Sequence, residues 1–126
     1  MSEGRDALLD YAATRLDALR ERGVSELAAV NTLLALQSLV KSDAATPQVG
    51  IDGDGGIETE WLVDGRSLIL NCGVDGTNVL WALDEDCQML FRREFNARMV
   101  DESLLGLARD LIDRMNRGVR NSVRSS

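Results

Sequence analysis

Four acidic turn clusters, Asp52-Gly53-Asp54-Gly55-Gly56, Asp64-Gly65, Asp75-Gly76 and Asp84-Glu85-Asp86, begin nine to twelve residues apart between positions 47 and 95. Connections this short join antiparallel neighbours and leave no room for a crossover helix between strands. Asp-Gly pairs also supply the positive φ that hairpins require. The segments between them alternate apolar and polar residues with period two, so positions 47–95 are expected to form an antiparallel meander of four or five strands.

Strand alternation assigns faces. Ile57, Thr59, Trp61 and Val63 fall on one side of their strand, with Glu58, Glu60 and Leu62 on the other. Leu68, Leu70 and Cys72 oppose Ser67, Ile69 and Asn71, and Val79, Trp81 and Leu83 oppose Leu80 and Ala82. The last strand, expected over 87–95, sets Cys87, Met89, Phe91 and Arg93 against Leu90, Arg92 and Glu94. Both faces of the central strands are partly apolar, so one packs on helices and the other calls for a partner.

Helical spacing flanks the meander. Leu8, Leu9, Ala12, Leu16 and Leu19 recur at three and four within residues 5–22, and Gly23 provides a stop. Ser25 is placed to cap a second helix with Glu26 in its first turn; its apolar arc of Leu27, Val30, Leu33, Leu34, Leu36, Leu39 and Val40 predicts burial on more than one side. Pro47 opens the sheet. Asp101 caps a last helix over 101–117 built on Leu104, Leu105, Ala108, Leu111, Ile112 and Met115, and 118–126 reads as a tail. The expected fold is α+β in a single domain, 1–126: a helical hairpin over 5–40, the sheet over 47–95, then one C-terminal helix.

Charge is unevenly distributed. The chain carries −7 overall, but residues 42–102 hold thirteen acidic and four basic side chains, whereas 103–126 hold two acidic and five basic. An acidic sheet disfavours nucleic acid and attracts a basic protein partner. Arg114, Arg117, Arg120 and Arg124 would contact nucleic acid only weakly. No apolar run approaches the roughly 18 residues of a membrane span, and the first residues do not resemble a signal peptide, so cytoplasm is the expected location.

Reactive chemistry is scarce. The chain has no histidine, which excludes Ser-His-Asp and Cys-His catalysis and any zinc site relying on imidazole. Cys72 and Cys87 stand fifteen residues apart without a paired CxxC and are expected to be buried thiols, a disulfide between them being the alternative. The Asp52–Glu58 loop has carboxylates at alternate positions, as calcium cages do. An EF-hand, however, needs an oxygen ligand at Gly56, glycine at Ile57 and glutamate at Val63, so a plain hairpin is the expectation. Glu58 and Glu60 share a strand face at a separation that paired carboxylates use in glycoside chemistry, yet solvent exposure explains the same alternation. No catalytic, metal or cofactor residue is therefore assigned. Trp61 and Trp81 are expected in one cluster with Val79 and Phe91, either as core or as an interface anchor.

Pro47, Gly55, Gly56, Ile57, Glu60 and Trp61, with the later Asp75-Gly76 turn, form a pattern over roughly 47–83 that resembles a small β-domain of uncharacterised bacterial proteins, with a Gly-Gly-Ile/Val turn and a Glu-Trp pair. The resemblance implies the meander and no particular activity. The functional expectation is a noncatalytic protein-binding or regulatory module that self-associates, most simply as a homodimer. An acidic inhibitor of the antitoxin or immunity type is its narrower version. A small carboxylate- and metal-dependent enzyme, or an architectural component of a phage-like assembly, are the alternatives. Candidate partner-binding residues are Glu58, Glu60, Asp64 and Asp84 for charge and Ile69, Leu80 and Leu90 for apolar contact.

Overall fold

Helix α1, Glu3–Glu21, carries a buried stripe of Leu8, Ala12, Leu16 and Leu19 that follows the expected helical spacing. In this computed structural model, residues 3–39, 47–63, 65–100 and 102–111 are described. Gly23, at φ +89°, ends α1 in a Schellman motif: its amide donates to the Arg20 carbonyl, and that of Val24 reaches back to Leu19. Helix α2, Glu26–Leu39, starts as the sequence predicts, with Ser25 Oγ accepting from the Ala28 amide at 3.3 Å. The Ser25 amide in turn donates to the Gly55 carbonyl at 3.2 Å, tying the helical hairpin to the first sheet turn.

Five strands follow, β1 Gln48–Ile51, β2 Ile57–Val63, β3 Arg66–Cys72, β4 Asn78–Leu83 and β5 Met89–Phe95, all antiparallel and ordered as in the chain. Val63 pairs with Arg66 across a two-residue connection with Gly65 at φ +81°. The other three hairpins share one longer loop in place of the tight two-residue turn. In each, the fourth residue donates to the carbonyl of the first and takes a positive φ: Gly55 bonds Asp52, Gly76 bonds Gly73 and Cys87 bonds Asp84. Carboxylates fasten the same loops. Asp52 Oδ1 accepts from the amides of Asp54 and Gly56, Asp75 Oδ1 from Thr77, and Asp84 Oδ1 from Asp86 and Gln88.

The third of these loops corrects the sequence reading. Cys87 lies in the turn at φ 62°, exposed, and not as a buried strand residue; β5 begins at Met89. Cys72 is buried as expected, and both cysteines are free thiols.

All helices lie on one sheet face. α1 packs along β1, and α2 along β2 and β3 as well as α1. Among the described residues of the expected arc, however, only Leu36 and Leu39 are buried, while Leu27 is exposed and Val30, Leu33 and Leu34 are half-buried. The close approach of α2 to the sheet is made instead by Ala28, Ala29, Asn31, Thr32 and Ala35. The C-terminal helix, α3 over 102–111, places Leu104, Ala108 and Leu111 in the same core, and Arg109 Nη2 donates to the Ser38 carbonyl at 3.0 Å near the end of α2. From the sheet, that core receives Val49, Ile57, Trp61, Leu68, Leu70, Cys72, Leu80 and Ala82. The expected cap Asp101, the stop at Gly118 and the C-terminal arginines lie outside the described residues. No described helix is long and apolar enough to cross a membrane.

Candidate interaction face of the sheet

Register fixes what the other face carries. Across the strands, Gln48 pairs with Glu60, Glu60 with Ile69, Ile69 with Trp81 and Trp81 with Arg92. The neighbouring row is Gly50, Glu58, Asn71, Val79 and Glu94, and beyond the first row stand Leu62, Ser67, Leu83 and Met89. None of these belongs to the hydrophobic core under the helices.

The middle of this face is apolar. Ile69 is only 4% exposed and lies outside the core under the described helices. Trp81 and Val79 are half-buried, while Leu62 is 64% and Met89 57% exposed. The indole Nε1 of Trp81 donates to Asn71 Oδ1 at 2.7 Å, a diagonal cross-strand contact that fixes the ring's orientation and satisfies its one polar atom. Asn71, Val79, Trp81, Met89 and Arg92 line a shallow cavity of about 290 Å³.

Met89 reaches this cavity through a bulge. Ala82 pairs with Phe91 but Leu83 pairs with Met89, leaving Leu90 as the extra residue. Unbroken alternation would have put Met89 on the side of Phe91, and this is the feature sequence reading missed. Leu90 remains 51% exposed, beside the face it was expected to join. Leu80 does not join it: the residue pairs with Leu70, is fully buried, and belongs to the helix-covered core. Trp61 and Trp81 likewise part company. β3 separates their strands, and Trp61 faces the helices at 1% exposure while Trp81 faces away.

The charged candidates divide similarly. Glu58 and Glu60 stand half-buried on the β2 side of the open face, and Arg92 and Glu94 on β5, with Arg92 Nη2 3.5 Å from Glu94 Oε1. Asp84 is spent on its turn amides, next to Glu85, which accepts from Arg66 at 2.8 Å. That contact, followed by a backbone hydrogen bond at Glu85 and then the field of the same guanidinium, holds the Glu85 carboxyl below its ordinary range. Asp64 lies outside the described residues.

A second concavity, about 530 Å³, runs round the β1 edge between Tyr11 and Arg15 of α1 and Glu58 and Glu60 of β2, with Gln48, Val49 and Gly50 as its floor. Among the described residues no three His, Cys, Asp or Glu side chains converge. Asp52, the best oxygen donor of the expected hairpin loop, already accepts from two amides of that loop. Comparison with protein-family models, curated proteins and solved structures finds no match for this chain.

Proposed function

We propose that the protein is a noncatalytic binding module that self-associates as a symmetric dimer through the open face of its sheet. The observation carrying this reading is the row Glu60, Ile69, Trp81, Arg92, in which an acid and a base bracket two large apolar side chains. A two-fold axis parallel to the strands, between β3 and β4, sets Ile69 of one copy over Trp81 of the other and Glu60 over Arg92, twice. The same axis brings Glu58 opposite Glu94, whose carboxylate Arg92 Nη2 faces at 3.5 Å. The central row is complementary to itself, as an isologous interface needs. The oriented indole adds a rigid anchor that is already half-desolvated, so little side-chain freedom is lost on docking.

Sedimentation across the micromolar range tests the reading. The expected mass is twice 13.8 kDa. Trp81→Ala should shift the chain to monomer, whereas Leu27→Ala, which removes an exposed apolar side chain from the helical side, should leave the dimer intact. A monomer at all concentrations, or a dimer indifferent to Trp81→Ala, would overturn it.

A further inference from the structure

We infer that the outer edge of β1, the end strand of the described sheet, is a docking site for an extended, basic segment of another protein, which adds to the sheet as a sixth strand. The inference rests on the reading of the chain as a binding module and shares only Glu60 with the central row of the proposed dimer contact, its main-chain site being the β1 edge. It begins with hydrogen bonding. The Asp52 amide donates to the Gly56 carbonyl, which makes Asp52 and Gly56 a bonded pair, and in an antiparallel ladder bonded pairs recur at every second residue. Gly50 and Gln48 therefore bond to β2, while the amides and carbonyls of Val49 and Ile51 point out of the sheet. Arg15 Nε donates to the Val49 carbonyl at 3.1 Å, consistent with that direction, and an added strand would replace or share this bond.

The two edges of the sheet are defended differently. β5 carries Arg92, Arg93 and Glu94, all exposed, and charged side chains on an edge discourage strand addition. β1, Gln-Val-Gly-Ile, carries no charge of its own. It is flanked by the concavity of about 530 Å³ that Tyr11, Arg15, Glu58 and Glu60 line. A strand entering there would lie with one row of side chains against Tyr11 and Arg15 and the other row on the side of Glu58 and Glu60. Gly50 has no side chain and is the direct cross-strand partner of Glu58, so a long basic side chain from the added strand can cross the β1 backbone to reach that carboxylate. The occupant is then a peptide with Lys or Arg at alternate positions and uncharged residues between them, since Arg15 opposes basic residues on the second row. Main-chain bonds would supply affinity and the two glutamates the choice of sequence.

The probe is a capped peptide of about ten residues alternating lysine and threonine, with a glutamate-for-lysine version as control, and binding is read by fluorescence anisotropy at moderate salt. The alternating peptide is expected to bind and the control not to. Ile51→Pro removes one outward amide and leaves the β1–β2 ladder intact, because proline is tolerated where the N–H faces away from the sheet. It should weaken binding about tenfold or more, as should Glu58→Gln with Glu60→Gln, and bound peptide should slow hydrogen exchange at Val49 and Ile51. Arg92→Glu, which disrupts the proposed dimer, should leave peptide binding unchanged, so the two readings fail separately. Binding lost in the glutamate variants yet unaffected by Ile51→Pro would mean charge attraction without strand addition and would overturn the inference. So would dissociation of the dimer by Ile51→Pro, which would make this edge the contact between two copies.

Discussion

The two faces of the sheet are built from the same strands and by the same alternation, yet they solve different problems. The helix-covered face carries Ile57, Trp61, Leu68, Leu70, Leu80 and Ala82, each at most 1% exposed and all in one core. The open face keeps charged residues at its margins and leaves Trp81 and Val79, beside the buried Ile69, part-exposed, with one polar contact holding Trp81 in place. The first arrangement serves folding of the single chain, where close packing makes each methylene count. The second contributes less to the monomer and, on the proposed reading, is the surface that meets a second copy.

The sharpest contrast is expected from truncating one apolar residue on each face. Leu70→Ala, in the central strand under the helices, should cost about 2–5 kcal/mol of unfolding free energy through lost burial and a cavity. Val79→Ala, on the open face, should cost the isolated monomer under about 1 kcal/mol. Denaturant titration at concentrations low enough to keep the chain monomeric measures both, and equal costs would erase the distinction.

Cys72 probes the covered face through pH. Burial raises its thiol from 9.0 to about 11, partly offset by the Thr32 hydroxyl. The folded chain keeps this proton after the unfolded chain has lost it. The resulting stability is therefore complete below about pH 9, declines as pH rises through 9 to 11, and amounts to about 2–3 kcal/mol at its limit. Wild type should lose that much more than Cys72→Ala over the same range. Ellman's reagent should titrate the exposed Cys87 at once and Cys72 only on unfolding.

Two smaller effects sharpen the picture of each region. Thr59, central and fully buried on the covered face, has a hydroxyl without a hydrogen-bond partner. Thr59→Val should therefore raise stability by roughly 1 kcal/mol. Cys87 takes the left-handed position that Gly55 and Gly76 fill in the equivalent loops. Cys87→Gly should relieve that strain and add roughly 0.5–1 kcal/mol, read as a higher denaturation midpoint.

Much of this contrast was legible in the sequence because alternation has only two phases. Once Trp61 and Leu70 are assigned inward, Glu60, Ile69 and Asn71 must face outward. Helix boundaries at Gly23 and Ser25 were legible too, since capping chemistry is local. What escaped came from events that interrupt a period. The bulge at Leu90 shifts Met89 to the open face, and the turn at Cys87 takes a conformation that a cysteine does not announce. Setting Trp81 beside Trp61 turns Leu80 outward; the register, Trp81 with Ile69 and Leu80 with Leu70, reverses the phase of β4. The pairing of Trp81 with Asn71 depends on a diagonal contact across strands, which only the register reveals. The β1 groove depends on how α1 lies against an edge, a tertiary fact without a local signal.

The claim that the open face is where two copies meet is tested most directly by charge reversal at the ends of its central row. Glu60→Arg and Arg92→Glu, made separately and together, are to be compared by sedimentation equilibrium at tens of micromolar. Each single variant sets like charges against each other across the two-fold axis and should sediment as a monomer of about 13.8 kDa, while the double variant restores opposite charges and should return to the dimer. Single variants that remain dimeric, or a double variant no better than either, would contradict the docking of these two faces.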